Sequence, residues 1–204
     1  MADYRVLVPI IKKWEAGFSN NPNDSGGPTN KGVTLATFRQ FYGQNKTVND
    51  LKAITDAQWL NIFLSGYWNK VRATEINNQS IANIVVDWAW ASGPDTAARK
   101  VQKIVGVDVD GIVGPKTLAA INAYNPQQLF DRIKAERITF VENLVKQRPK
   151  DSVFLTGWKN RINSFFFEAG GKVSNIIQEQ GLLIGAACLL IFLVFGKWNK
   201  RKKY

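Results

Sequence analysis

Histidine is absent from all 204 residues, and cysteine and methionine occur once each, as Cys188 and Met1. These gaps exclude whole classes of chemistry. A Ser-His-Asp triad and a Cys-His pair cannot be assembled, and a zinc site of the His/Cys type lacks ligands. One cysteine allows no disulfide within the chain. Any acid–base work falls to the 16 carboxylates, or to Lys or Tyr. Alternating strand patterns, internal repeats and low-complexity tracts are also missing.

What remains is a chain of ordinary globular composition, 45% hydrophobic and 21% charged, long enough for one domain and an appendage. Its formal charge is +11, but Lys197, Lys200, Arg201, Lys202 and Lys203 belong to a tail with no acid beyond Glu179. The other 22 basic residues stand against 16 acids, leaving +6 for the body. Such a body suits an anionic polymer or surface. Nucleic acid is not expected as a partner, because no recognition-helix or zinc-finger pattern is present.

The start, MADYRVLVPIIKKWE, is too short in apolar residues and too quickly followed by Lys12 and Lys13 for a signal peptide. Val6, Ile10, Ile11 and Trp14 instead mark one stripe of an amphipathic helix ending near Glu15. Ala16–Gly32 follows, with four glycines, two prolines, four asparagines and Asp24. Seventeen residues of that composition form a loop or small hairpin, and loops of this length are commonly functional.

Helices return after it. Thr34 is placed to cap a helix to Tyr42, Thr47–Asp50 has the form of a capping box, and Thr55 starts a helix ending near Gly66. Ile81–Ala91 is apolar nearly all round, as in a buried central helix, with Asp87 in its middle. Pro94, Pro115 and Pro126 each stand at a favoured first position, opening helices to Gly106, about Ala123 and about Arg148. A last helix is expected over roughly Phe154–Phe167. The fold class expected is therefore all-α. Asp108-Val-Asp110-Gly111 reads as a turn, since the remaining ligands of a calcium loop are missing.

Gln180–Gly196 is 17 uncharged, mostly apolar residues, ahead of the basic KWNKRKKY. At ~1.5 Å per residue the run spans ~25 Å, and Lys197 can snorkel, so a single membrane-spanning helix is expected at 181–198. A buried core helix is the other reading. Cys188 lies within the run, as a buried structural thiol. The positive-inside rule puts the tail in the cytoplasm and the body on the wall side. Lacking a signal peptide, insertion after synthesis would leave the body inside; both orientations stand open.

Among the carboxylates, most read as solvated or capping groups. Glu15 differs, because it follows a Trp at a helix end and faces the Gly-rich loop. A carboxyl pressed against apolar walls keeps its proton near neutrality, as a general acid must. Asp24, nine residues on, is either an Asx-turn residue or a second carboxylate flanking a small substrate, the arrangement glycoside hydrolysis uses. Tyr67 and Trp68 either line a cleft and stack on sugars or fill the core.

These residues resemble a known family. Glu15-Ala16-Gly17-Phe18, Pro22-Asn23-Asp24 and Gly26-Gly27-Pro28-Thr29-Asn30-Lys31-Gly32-Val33-Thr34 are similar to the opening motifs of glycoside hydrolase family 108, the lysozymes of phage endolysins and secretion-associated muramidases. Gly66-Tyr67-Trp68, Val86-Asp87-Trp88, Ser92-Gly93 and the stretch Asp110–Leu118 continue the likeness over about 1–165, the last resembling the family's predicted peptidoglycan-binding segment. Ala16, Phe18 and Ala91 depart from its glycine, tyrosine and asparagine.

The resemblance implies a lysozyme-like catalytic region at 1–93, a helical peptidoglycan-binding-like region at 94–168, a linker at 169–180, the spanning helix at 181–198 and a basic tail at 199–204. It makes Glu15 the catalytic acid. The Glu15-x8-Asp24 spacing also resembles that of the phage-type lysozymes, and by this looser analogy Asp24 orients or activates water with Thr29 or Thr34 beside it; Thr29, Thr34, Tyr67, Trp68 and Asp87 are expected to meet substrate. No metal or organic cofactor is implied. Peptidoglycan and the membrane are the expected partners, with a holin or secretion system for export. Two other classes compete: a membrane-tethered peptidoglycan-binding protein without turnover, and a membrane-lesion protein acting through its C-terminal helix.

Overall fold

The computed structural model describes residues 1–15, 17–20 and 27–169. Asp24, the expected spanning helix 181–198 with Cys188, the basic tail and the linker beyond 169 lie outside the described residues. Among those described, no helix is long and apolar enough to cross a membrane.

Nine α-helices carry the described chain, joined near its start by one small sheet. Helix α1 (Tyr4–Trp14) is capped by Asp3, whose side chain accepts from the Arg5 N–H at 2.9 Å. Its buried stripe is Leu7 and Ile11, while Trp14 is only half-buried. Of the expected stripe Val6, Ile10, Ile11 and Trp14, Ile11 is fully buried and the other three are half-buried, because the deepest core lies under Leu7 and Ile11.

The Gly-rich stretch forms the hairpin strands β1 (Phe18–Ser19), β2 (Thr29–Asn30) and β3 (Val33–Thr34), antiparallel in the order β1-β2-β3. Asn30 pairs with Val33, so Lys31 and Gly32 are the two turn residues. Both have positive φ, 48° and 76°, as a primed two-residue turn requires. The Trp59 indole donates to the Lys31 carbonyl at 2.8 Å and pins the turn to the core.

Helices α2 (Leu35–Tyr42), α3 (Val48–Lys52) and α4 (Asp56–Phe63) start at the expected caps Thr34, Thr47 and Thr55, the last two with reciprocal capping boxes. Past α4 the chain does not stop at Gly66. It continues as one π-helical turn, Leu64–Trp68, closed by the Asn69 N–H on the Leu64 carbonyl at 2.9 Å. This wider turn buries both Tyr67 and Trp68.

Helix α5 (Gln79–Ser92) is buried along its whole length, as its all-round apolarity requires. Gly93, at φ 86°, turns the chain into α6 (Pro94–Val105). The loop 106–114 is held from beneath by the Gln102 amide, which donates to Asp110 Oδ1, the Ile112 carbonyl and Thr117 Oγ1 and accepts from the Gly111 N–H. Asp110 also accepts from the Ile112 N–H, so the Asp108–Gly111 stretch is a turn.

Helices α7 (Pro115–Ala123), α8 (Pro126–Gln147) and α9 (Ser152–Asn163) complete the body. Helix α9 ends four residues short of the expected Phe167. Lys134 Nζ accounts for the stop, donating to the Asn163 and Phe165 carbonyls at 3.2 and 2.8 Å. The core is aromatic: Trp59, Trp68, Trp88, Trp90, Trp158, Phe38 and Phe63 are all fully buried.

Candidate active site

Glu15 is the C-cap residue of α1, and it turns its carboxylate inward, leaving 7% of the residue exposed. Two donors meet at one oxygen. Trp90 Nε1 on α5 donates to Oε1 at 2.9 Å, and Arg161 Nη1 on α9 donates to the same atom at 2.6 Å. The other side of the carboxylate lies against the β2–β3 turn, where a Cβ added to Gly32 would stand 2.6 Å from both Cδ and Oε2. An aromatic wall backs the group, with Trp90 packed 4.7 Å from Tyr67 and 5.3 Å from Trp59 between ring centres.

The expected apolar seat is therefore only half of the setting. Arg161 brings a positive charge to Glu15 and passes it on to a second carboxylate. Its Nε and Nη2 donate to Asp87 Oδ1 at 2.9 and 2.7 Å. Asp87 Oδ2 in turn accepts from Arg137 Nη2 at 2.7 Å, and Arg137 Nη1 donates to the Ile84 carbonyl at 3.3 Å. Two carboxylates and two guanidiniums, drawn from α1, α5, α8 and α9, form one buried chain. Burial by itself would raise the Asp87 carboxyl, but Arg161 and then Arg137 outweigh it and hold the group below the ordinary aspartate range. Burial lowers both guanidiniums; for Arg161 the pull of Asp87 and Glu15 more than reverses this, whereas for Arg137 the single partner Asp87 does not.

Of the other residues singled out from sequence, Thr34 lies at the start of α2, its hydroxyl 3.0 Å from that of Thr37 while it accepts the Thr37 N–H. Thr29 is buried in β2, its hydroxyl on the Gly27 carbonyl at 3.2 Å. Tyr67 is 7% exposed beside Trp90. Burial pushes its phenol up, a hydrogen bond with Thr37 opposes this and the Glu15 charge adds to it, so the phenol stays neutral at any working pH. Trp68 is set apart. It is 1% exposed, packs on Tyr4 and Phe63 and donates to Thr74 Oγ1, so it fills the core. Asp87 has no exposed surface with which to meet a glycan. Its place is behind Glu15, as counter-charge to two arginines, and this corrects the substrate contact expected of it.

Trp90, Arg137, Arg161 and Gly32 belong to the site without having been singled out. A signal existed for Arg137, which stands in the apolar stripe Leu129–Ile133–Val141 at four-residue spacing. The departures from the family pattern also find places. Phe18 is exposed on β1 with Lys52 Nζ 4.5 Å over its ring. Ala91 is packed among Val141, Leu144, Trp158 and Ile162, an apolar setting that an amide would not suit.

Residues 8–93 match the family model described as Glycosyl hydrolase 108, and residues 96–163 match the Predicted Peptidoglycan domain. The fold is similar to the structure of Brucella abortus SagA, with 28% sequence identity and a TM-score of 0.69 over 82% of this chain and 97% of that one. No curated protein matches the chain. The matched regions place the chain among the glycosidases that act on peptidoglycan. Within that class its residues 8–93 carry the glycosyl hydrolase family 108 region, followed at 96–163 by a predicted peptidoglycan domain.

Proposed function

We propose that the chain is a lysozyme that cleaves the β-1,4 bond between N-acetylmuramic acid and N-acetylglucosamine, with Glu15 as general acid. The observation that carries this is the carboxylate at the end of α1, held at one oxygen by Trp90 and Arg161 and flanked at the other by a glycine turn. With Oε1 already accepting two N–H groups, the proton to be delivered sits on Oε2, and it passes to the leaving glycosidic oxygen. Asp24, with Thr29 or Thr34, orients or activates water on the opposite face of the sugar. The basic body draws the enzyme to the anionic wall, and the apolar run 181–198 tethers it to the membrane with the body on the wall side.

The test is loss of turbidity from purified cell walls. The parent lyses them, and Glu15→Gln loses at least ~100-fold, the scale of a general acid's contribution. Equal rates for the two proteins remove Glu15 from the mechanism. Wall binding without lysis by the parent would favour the non-catalytic tether. Protease digestion of the body from outside intact spheroplasts checks the proposed orientation.

A further inference from the structure

One of the two residues that grip Glu15 does not come from the hydrolase region. Arg161 lies in α9, 146 positions along the chain, inside the stretch 96–163 that matches the predicted peptidoglycan domain. Arg137, which holds the far end of the ionic chain, comes from α8 of the same stretch. A region that served only to bind wall would have no need to send two buried guanidiniums under a neighbouring carboxylate.

We propose that Arg161 is a positioning residue for Glu15, so that the 96–163 region completes the catalytic centre instead of acting as a separable wall-binding module. The proposal rests on Glu15 being the general acid. The guanidinium is planar and its donors point in fixed directions. One edge, Nε and Nη2, is locked onto Asp87 Oδ1, which fixes the direction of the remaining Nη1 donor. That donor meets Glu15 Oε1 at 2.6 Å. Asp87 is itself fixed from the other side by Arg137, so its carboxylate cannot swing with Arg161. Trp90 stands three residues beyond Asp87 on α5 and aims at the same Oε1. The carboxylate is held in one plane by donors from two helices, α5 and α9. Misplacement of a reacting group by about 1 Å costs on the order of 100-fold in rate, so such a clamp has catalytic consequence without touching substrate.

The charge count supports the same role. Arg161 and Arg137 stand against Glu15 and Asp87, and all four are at most 7% exposed. Asp87 already binds Arg161 by two hydrogen bonds, so the guanidinium is anchored independently of its contact with Glu15. A structural salt bridge would need only Asp87; the third donor of Arg161 is the one committed to the acid.

The test uses the full-length protein, steady-state lysis of soluble peptidoglycan strands, and the variants Arg161→Met, Arg161→Lys, Glu15→Gln and Arg161→Met/Glu15→Gln. Arg161→Met should lower kcat by at least ~10-fold with KM within about twofold, and Arg161→Lys should recover part of kcat. In the Glu15→Gln background Arg161→Met should cost nothing further, since residues acting through one group are not additive. Should Arg161→Met fail to fold, Arg161→Met/Asp87→Asn keeps the buried charges balanced and carries the same measurement. Loss through KM alone, full additivity with Glu15→Gln, or a folded variant with the parent's kcat each overturns the proposal. Undiminished lysis by Glu15→Gln alone is a different result, and overturns the general-acid assignment itself.

Discussion

Gly32 and Glu15 are pressed together across the β2–β3 turn: a methyl group on Gly32 would reach to 2.6 Å of the Glu15 carboxyl carbon and of Oε2, and 2.9 Å of Cγ. The glycine also has φ 76°, where a side chain is strained whatever the space. The hairpin therefore needs glycine here twice over, once for its own turn and once for the carboxylate it shelters. Gly32→Ala should cost about 1–3 kcal/mol in stability from backbone strain alone. It should also lower kcat by pushing Glu15 off the Trp90 and Arg161 donors. Thermal unfolding and lysis rates measured on one sample check both. An alanine variant with the parent's Tm and rate would show that the turn and the carboxylate both give way freely.

Asp87 makes the buried ionic chain sensitive to acid. Its folded pKa lies below the ordinary aspartate value because Arg161 and Arg137 outweigh its burial. A depressed carboxylate contributes stability that is complete above its unfolded value, about 3.9, and is lost as pH falls through the lower folded value. The fold should thus be insensitive to pH near neutrality through this group and weaken below about pH 4. Asp87→Asn leaves two buried guanidiniums against one carboxylate and should cost about 3–5 kcal/mol at neutral pH. Its acid limb should be shallower than the parent's. Denaturant midpoints from pH 3 to 7 test this, with Asp56→Asn as the control, since Asp56 pairs with Lys12 and Lys31 in the open.

Much of this architecture was legible in the sequence because its signals are local. Thr34, Thr47 and Thr55 cap their own helices, Pro94, Pro115 and Pro126 open theirs, and the apolar all-round composition of Ile81–Ala91 could only mean burial. Glu15 was visible because a motif and a helix end coincide there. Arg161 was not, since nothing within a few residues marks it among the basic residues, and its partners are 74 and 146 positions away. The clue lay in Asp87. A carboxylate in the middle of a wholly buried helix demands a cation from elsewhere. An arginine in the apolar stripe of α8 and another beside Trp158 and Ile162 on α9 are the cations that such a demand points to. The π turn at Leu64–Trp68 leaves no sequence signal distinguishable from a helix end, and of the two readings open for Trp68, cleft or core, the structure takes the core.

The loop over 106–114 offers a test at a distance from the acid. Gln102 is 1% exposed, and its amide alone makes four hydrogen bonds to that loop and to the start of α7. Gln102→Leu keeps the volume and removes every one of them, leaving the buried Thr117 hydroxyl and the Gly111 N–H to find water. Amide exchange should rise sharply over 108–113 while the amides of α5 stay protected. Unchanged exchange in the loop would mean that Asp110, through its own bond to the Ile112 N–H, holds the turn alone.

Trp90 allows the clamp on Glu15 to be weakened without disturbing any charge. Its ring packs against Trp59, Phe63 and Tyr67, with centres 5.3, 5.8 and 4.7 Å away, while its Nε1–H is the second donor to Oε1. Phenylalanine keeps most of the packing and deletes the donor. Arg161 still satisfies Oε1, so no acceptor is stranded, and the stability cost should be that of a partly filled indole site, about 1–3 kcal/mol. The rate should fall further than this implies. With one donor gone, the carboxylate can rotate about the Arg161 bond, and Oε2 no longer faces a single direction. Trp90→Phe should therefore lower kcat by roughly 10-fold with KM little changed. A histidine at the same position restores an N–H donor on a smaller ring, and should recover kcat in part while remaining less stable than phenylalanine. If phenylalanine matched tryptophan in rate, Arg161 alone would be enough to orient the acid, and the two-donor clamp would reduce to one.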